Sequence, residues 1–247
     1  MENDVYEIES PTEERHWWFV VRRELFKSYL NKFKLDSNAK ILDIGSASGG
    51  NLRLLKNLGF KNYLGFDINP LSKKFIEKKN LGNVVIGDIC KNNFPDNNFD
   101  AILATDVIEH IADDNLALKE MRRIIKDDGK IIITAPCFGV LWNKHDDMNM
   151  HYRRYKIKDL RAIIQQNNFE IVESYYFNFL LFIPILFFRK ITKIFKLKFR
   201  NDISVNNNFC NFIFKIIFFI DIKISKILKP PFGVSALIIC VPKKIIK

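Results

Sequence analysis

The chain has 247 residues, 48% of them hydrophobic, enough for a substantial core in one α/β domain with an elaboration. Cys90, Cys137, Cys210 and Cys240 are far apart and form no C-x-x-C pair, which argues against a disulfide framework or a zinc site and for reduced thiols in a cytoplasmic protein. The N-terminus is acidic and lacks an apolar core, so it does not read as a secretory signal, and the net charge of +11 falls entirely in residues 189–247. A basic tract of this kind attracts an anionic partner such as phospholipid, a phosphorylated substrate or nucleic acid. The same excess also follows from a bias toward Lys, Ile, Asn and Phe, of which the 23 Phe are a sign.

In chain order, residues 13–33 read as a helix with Trp18, Val21, Leu25 and Tyr29 on one face. Residues 40–44 are isoleucine-rich, as a buried parallel strand is. Gly45 breaks this strand, and Gly49 and Gly50 allow a tight turn and a close backbone approach to a ligand. From Asn51, Leu52, Leu54, Leu55 and Leu58 recur at helical spacing, completing the opening of a βαβ unit that holds a nucleotide-like ligand above the strand end. A flavin or nicotinamide site would show G-x-G-x-x-G, whereas this turn reads G-x-x-x-G-G with Asp43 before the first glycine. The stretch D-I-G-S-A-S-G-G-N resembles the first motif of class I S-adenosylmethionine-dependent methyltransferases, with Ala47 in place of the family's middle glycine.

The later elements agree with that resemblance. Residues 63–67 form a second strand ending in Asp67, at the interval where dinucleotide folds place the acid that bonds ribose hydroxyls. Pro70 suits the first turn of the next helix, and residues 84–87 form a third strand followed by Asp88 and Ile89. Residues 94–111, F-P-D-N-N-F-D-A-I-L-A-T-D-V-I-E-H-I, contain a polar turn and a fourth strand over 101–105, and resemble the family's fourth motif in its quinone-methylating and related small-molecule branches. A helix over 115–125, a turn at D-D-G, a fifth strand over 130–136, a helix over 159–166, a sixth strand over 169–176 and a last strand over 237–241 complete the pattern. The expected fold is an α/β, Rossmann-like sheet of seven strands with helices on both faces. The expected division is a helical cap at 1–36, the cofactor-binding core at 37–176, a helical insertion at 177–229 and the last core strand at 230–247.

The resemblance implies S-adenosyl-L-methionine as cofactor, held by Asp43, Gly45, Ser46, Ala47, Gly49, Asp67, Ile68, Asp88, Ile89 and Thr105. Trp18 and Arg22 join them from the H-W-W-F…R-R segment, which resembles the cap that closes over the cofactor in this group. Asp106, His110 and His151 are the candidate catalytic residues. D-x-x-E-H, ending at His110, also resembles an E-x-x-E-H magnesium motif of some quinone and RNA 3′-end methyltransferases, but the shorter Asp106 replaces its first glutamate and no metal is expected. In residues 141–155, read as a loop over the site, Trp142, His145, Arg153 and Tyr155 are candidate substrate contacts, with H-Y-R-R-Y resembling a segment of methyltransferases encoded with polysaccharide and glycolipid enzymes.

Two apolar stretches of the insertion, 179–188 and 209–228, do not read as membrane spans: the first is short and holds Pro184, and Lys215, Asp221, Lys223 and Lys226 divide the second. Large apolar residues beside bases suit either helices lying in a membrane surface or a packed lid. The expected function is methyl transfer to a small-molecule, glycan or lipid-linked acceptor, with the protein cytoplasmic and peripheral at the inner membrane face. The alternatives are an RNA methyltransferase, disfavoured because the bases alternate with aliphatics, and a non-catalytic cofactor-binding protein.

Overall fold

The computed structural model describes residues 10–194 and 207–244. Seven strands form one sheet in the order β3-β2-β1-β4-β5-β7-β6. They are β1 (Lys40–Ile44), β2 (Asn62–Asp67), β3 (Asn83–Ile86), β4 (Phe99–Thr105), β5 (Ile125–Pro136), β6 (Phe169–Phe177) and β7 (Ser235–Pro242). All pairings are parallel except those of β7, which runs antiparallel to both β5 and β6. The helices are α1 (Trp17–Phe33), α2 (Gly50–Asn57), α3 (Leu71–Lys78), α4 (Asp114–Ile124), α5 (Lys144–Met148), α6 (Ile157–Gln166), α7 (Phe182–Ile194) and α8 (Asn208–Leu228).

Alternation along the strands feeds two separate cores. Leu42, Ile102, Ile131 and Ile133 pack with Leu118 and Met121 of α4 and Leu160 and Ile164 of α6. Ile41, Leu103, Ile132 and Leu237 pack with Leu25 and Leu30 of α1, Leu55 of α2, Ile76 of α3 and Phe218 of α8. Burial on both faces is why these strands are apolar almost throughout. Each large aliphatic side chain removed from water contributes roughly 1.5–3 kcal/mol.

Element ends differ from the expected ones where caps decide them. Helix α1 begins at Trp17, because the His16 side chain accepts from Trp18 N. Helix α4 begins at Asp114, where Asp113 accepts from Leu116 N, and it ends at Ile124. The D-D-G sequence is therefore no helix terminator but lies inside β5, which starts at Ile125 with a register shift against β4. Pro184 falls in the first turn of α7, where a missing N–H costs nothing, so it starts that helix instead of interrupting it. Residues 141–155 are not all loop: Asn143 and Asp146 form a capping box that opens α5.

β1 leads to β2 and β3 on one side, while β4 and β5 lie on the other, so the chain reverses its winding between β1 and β4. Ligands of open α/β sheets bind at the carboxyl ends of the strands beside such a reversal.

Candidate active site

The turn after β1 is shaped by two glycines with left-handed backbone. Gly45 has φ +72°, and an added Cβ would lie 2.7 Å from Val107 Cγ2; Gly49 has φ +91°, and its Cβ would lie 2.7 Å from Leu81 Cδ1. Ala47, where the resembled motif has glycine, also takes positive φ, at 44°. That conformation is held by Asp67, whose Oδ2 accepts from Ala47 N at 2.8 Å while Oδ1 accepts from Asn69 N at 2.8 Å. Asp43 lies beneath the turn and is fully buried, with Oδ1 accepting from Asn51 Nδ2 at 2.8 Å. Burial pushes its carboxyl up to about 8, against the lowering effect of Asn51 and with Asp67 and Glu13 adding to the rise. Asn51 Nδ2 also donates to Thr105 Oγ1 at 2.9 Å, tying β1 to β4.

Helix α1 brings Arg22 over this turn. Its guanidinium meets Asp106 Oδ2 at 2.7 Å and donates to Thr134 Oγ1 at 3.3 Å. It also lies over the rings of Trp18 and Phe26, at 5.1 and 5.3 Å from their centroids. Asp106 has φ 53° and accepts from Thr134 Oγ1 at 2.9 Å. Trp18 is stacked on Phe218 of α8, with ring centroids 5.3 Å apart. The insertion therefore packs directly on the cap.

Glu109 and His110 occupy a short 3-10 turn after β4. Glu109 is 1% exposed, and among the described residues neither carboxyl oxygen has a hydrogen-bond partner; burial first, and Asp106 second, hold it well above the usual carboxylate range. His110 is lowered to about 3, mainly by burial and then by His151, whose ring centroid lies 4.5 Å away. Glu109, His110 and His151 each bring a potential ligand atom, all within 4.8 Å of one another. A divalent cation fits that donor set chemically. Asp106, the first residue of the D-x-x-E-H pattern, is outside the set and engaged by Arg22 and Thr134.

One cavity of about 600 Å³ joins these parts. Gly45, Ser46, Ala47, Thr105 and Asp106 line it with Trp18 and Arg22 of the cap; Glu109, His110, His145 and His151 add polar groups, and Leu181 before α7, Ile185 and Phe188 of α7 and Phe214 of α8 supply apolar wall. Asp43, Gly49, Asp67, Ile68, Asp88 and Ile89 lie outside this lining. Asp88 caps a 3-10 turn by accepting from Cys90 N, Ile68 is 71% exposed, and Ile89 is buried in the core, packed among apolar side chains.

The expected substrate contacts divide. His145 lines the cavity, with Nε2 paired to Asn149 Nδ2 at 3.0 Å. Trp142, Arg153 and Tyr155 do not line it: Trp142 Nε1 donates to Asp147, while Arg153 pairs with Asp114 at 2.6 Å and the Tyr155 hydroxyl donates to the same carboxylate at 2.8 Å. The last two anchor the start of α4. The sequence carried no sign of the cavity roles of Asn149, Arg154, Arg189 and Phe214, whose approach depends on how α5, α7 and α8 fold back.

These residues fit S-adenosylmethionine. Gly45, Ser46, Ala47, Ser48 and Gly50 of the turn line the cavity, and the buried Nε of Arg22 has no hydrogen-bond partner among the described residues. The volume lies within the roughly 300–1,000 Å³ common for small-molecule sites.

The comparisons with known proteins agree. Residues 42–133 match the family described as "Methyltransferase domain". Phosphoethanolamine N-methyltransferase of Plasmodium falciparum is 28% identical over 162 residues, 61% of each chain. The 2-methyl-6-phytyl-1,4-hydroquinone methyltransferase of Synechocystis is 26% identical over 137 residues, 53% of this chain and 41% of its own. The chain thus spans less than two thirds of the length of these relatives. A solved S-adenosylmethionine-dependent methyltransferase from Archaeoglobus fulgidus superposes with TM-score 0.57 at 23% identity, over 89% of this chain and 94% of that one, and shares the fold. Residues 42–133 therefore match a methyltransferase domain, and the chain shares the fold of a solved S-adenosylmethionine-dependent methyltransferase.

Proposed function

We propose that this protein transfers the methyl group of S-adenosylmethionine to a small acceptor that is itself lipid-linked, or borne on a glycan, and presented at a membrane surface. The observation that carries the reading is the single cavity in which the glycine turn, the Arg22–Asp106 pair and the Glu109–His110–His151 cluster meet beneath apolar side chains of α7 and α8. When bound, the cofactor supplies an electrophilic methyl group on a sulfonium. The protein's part is to hold the acceptor in line with that carbon, which supplies much of the rate of such displacements. Ser46, Ala47 and Arg22 hold the cofactor end, and Trp18 and the apolar wall exclude water from it.

The relatives support an acceptor of modest size: one is named for phosphoethanolamine, another for a hydroquinone bearing a phytyl chain, and a third for a sterol. The membrane part rests on α7 and α8. Phe188 both lines the cavity and is 41% exposed, so the cavity wall runs outward into solvent-facing Ile183, Phe187, Phe209, Phe212 and Ile216. No helix among the described residues is long and apolar enough to cross a membrane. An amphipathic pair lying in the interface suits such helices.

The test is incubation of lipid and glycan extracts with the protein and methyl-labelled cofactor, followed by mass spectrometry. Label in a lipid-soluble or lipid-linked product is expected. Label confined to water-soluble small molecules would remove the membrane acceptor, and cofactor binding without formation of S-adenosylhomocysteine would leave a binding protein.

A further inference from the structure

One imidazole that lines the cavity, His151, is backed by a buried carboxylate on which two arginines and a backbone amide converge. His151 Nδ1 lies 2.8 Å from Asp146 Oδ1. The Asp146 carboxylate is fully buried, and Arg154 clamps it through Nε at 2.8 Å and a terminal nitrogen at 3.1 Å. Asn143 N donates to its Oδ2 at 2.9 Å, and Arg189 of α7 stands 3.9 Å away.

We propose that His151, oriented by Asp146, is the general base of the transfer, and that the acceptor atom is therefore a hydroxyl oxygen of an alcohol or phenol. This rests on the methyl-transfer reading above and deepens it.

Burial works to protonate Asp146, but the His151 hydrogen bond and Arg154 outweigh it and hold the carboxyl well below the usual range. An ionised carboxylate only accepts, so Nδ1 must carry the hydrogen of a neutral ring. Nε2 then keeps its lone pair, on a side chain that lines the cavity beside Glu109 and His110. The other two imidazoles there are less suited. His110 meets His151 edge-on, with ring centroids 4.5 Å apart, whereas His151 has the Asp146 carboxylate on its Nδ1; His145 Nε2 is paired with Asn149 Nδ2. The groups facing His151 are Asp146 and His145 of α5, Arg154 before α6, Arg189 of α7, and Glu109 and His110 after β4.

In the step, the acceptor O–H bond breaks and its proton goes to His151 Nε2. The oxygen's electron pair forms the new O–CH₃ bond, and the methyl–sulfur pair remains on the departing sulfur. The imidazolium is stabilised by Asp146 and returns its proton to water. A neutral amine acceptor would attack with its own lone pair and need no base. A buried carboxylate held by two arginines behind the ring is superfluous for an amine and apt for a hydroxyl.

The experiment uses the full chain as wild type, His151→Gln, Asp146→Asn and Asp146→Glu. Calorimetry with S-adenosylmethionine comes first: all four should bind within about twofold, whereas a wild type that fails to bind would sink the methyl-transfer reading itself. ¹⁵N-histidine spectra of the wild type should show His151 with Nδ1 protonated and Nε2 bare, a signature that weakens in Asp146→Asn and returns in Asp146→Glu. Turnover is then read with farnesol in micelles as hydroxyl probe and phosphoethanolamine as amine probe. Removing a general base typically lowers the rate about 10²- to 10⁴-fold, and His151→Gln should show that on the hydroxyl probe. The proposal is overturned by a protonated Nε2, by stoichiometric shifts of His151 and His110 signals with Mg²⁺ or Zn²⁺, by methylation of phosphoethanolamine alone, or by unchanged turnover in His151→Gln.

Discussion

Asp67 and Asp43 show how one carboxylate can serve the turn and another burden it. Asp67 accepts from Ala47 N and Asn69 N, so it holds an alanine in a left-handed conformation that disfavours any side chain. Asp67→Ala should weaken S-adenosylmethionine binding roughly tenfold, because Ala47 of the cavity lining loses the carboxylate that fixes its backbone, a cost of about 1.5 kcal/mol. It should also lower the melting temperature, because the turn loses its anchor; calorimetry and thermal melts read the two effects separately. Asp43 behaves oppositely. Its carboxyl is raised from 3.8 to about 8 in the folded chain, foremost by burial, so the folded state prefers the protonated form. The stability tied to that proton is fully present below pH 3.8 and is lost as pH rises through about 8. Asp43→Asn keeps an acceptor for Asn51 and removes the titration. Its melting temperature relative to wild type should climb between about pH 4 and pH 8; a constant difference across that window would disprove the buried, protonated state.

At the scale of elements, two carboxylates hold segments that the sequence left unanchored. Asp221 of α8 is fully buried and accepts from Asn178 N at 2.6 Å, Leu180 N at 2.8 Å and Ser225 Oγ at 3.1 Å. It pins the bend between β6 and α7. In the sequence it read as one of the charges dividing an apolar stretch, because nothing local shows that its helix face meets two bare amides. Asp221→Ala leaves those amides buried without a partner and should cost about 2–3 kcal/mol, read as a lowered denaturation midpoint. Asp114 plays the same part for α4, taking Arg153 and the Tyr155 hydroxyl. Arg153→Ala should therefore lower stability by about 1 kcal/mol while leaving acceptor KM unchanged. A raised KM with unaltered melting would restore Arg153 to the acceptor site.

For the molecule as a whole, the outward apolar face lies on two helices that also carry part of the basic charge, Lys190 on α7 and Lys215, Lys223 and Lys226 on α8 among them. Phe209, Phe212, Ile216 and the neighbours Phe219 and Ile220 recur at three- and four-residue spacing along α8, Ile227 lies seven residues beyond Ile220, and each is at least 37% exposed. Lys223, Lys226 and Lys229 stand at the same end as Ile227. Binding to vesicles containing phosphatidylserine is expected at low salt, with about 1 kcal/mol from each base at the surface, and it should fall as salt screens the charges. Lys223→Glu with Lys226→Glu should abolish the salt-sensitive part, and Phe209→Ser with Phe212→Ser the remainder. Co-sedimentation that ignores both pairs would make α7 and α8 a lid for a water-soluble acceptor.

What the sequence determined by itself is what local rules specify. Strand apolarity, helix spacing and the G-x-x-x-G-G turn located the sheet and the glycine turn that lines the cavity, because each depends on residues a few positions apart. Ala47 could be read as a departure from the motif, and the positive φ that a glycine would take was implicit there. The tertiary structure alone decided which side chains meet across the fold. Arg22 lies 84 positions from Asp106, and Trp18 reaches Phe218 from the far end of the chain, so no periodicity could pair them. His151 and Arg153 are two residues apart and looked equally fit for the acceptor. The backbone after α5 sends one to Asp146 at the cavity wall and the other to Asp114 at a helix start. Buried charges demand partners, and the available partners are fixed by packing, not by neighbourhood in the chain.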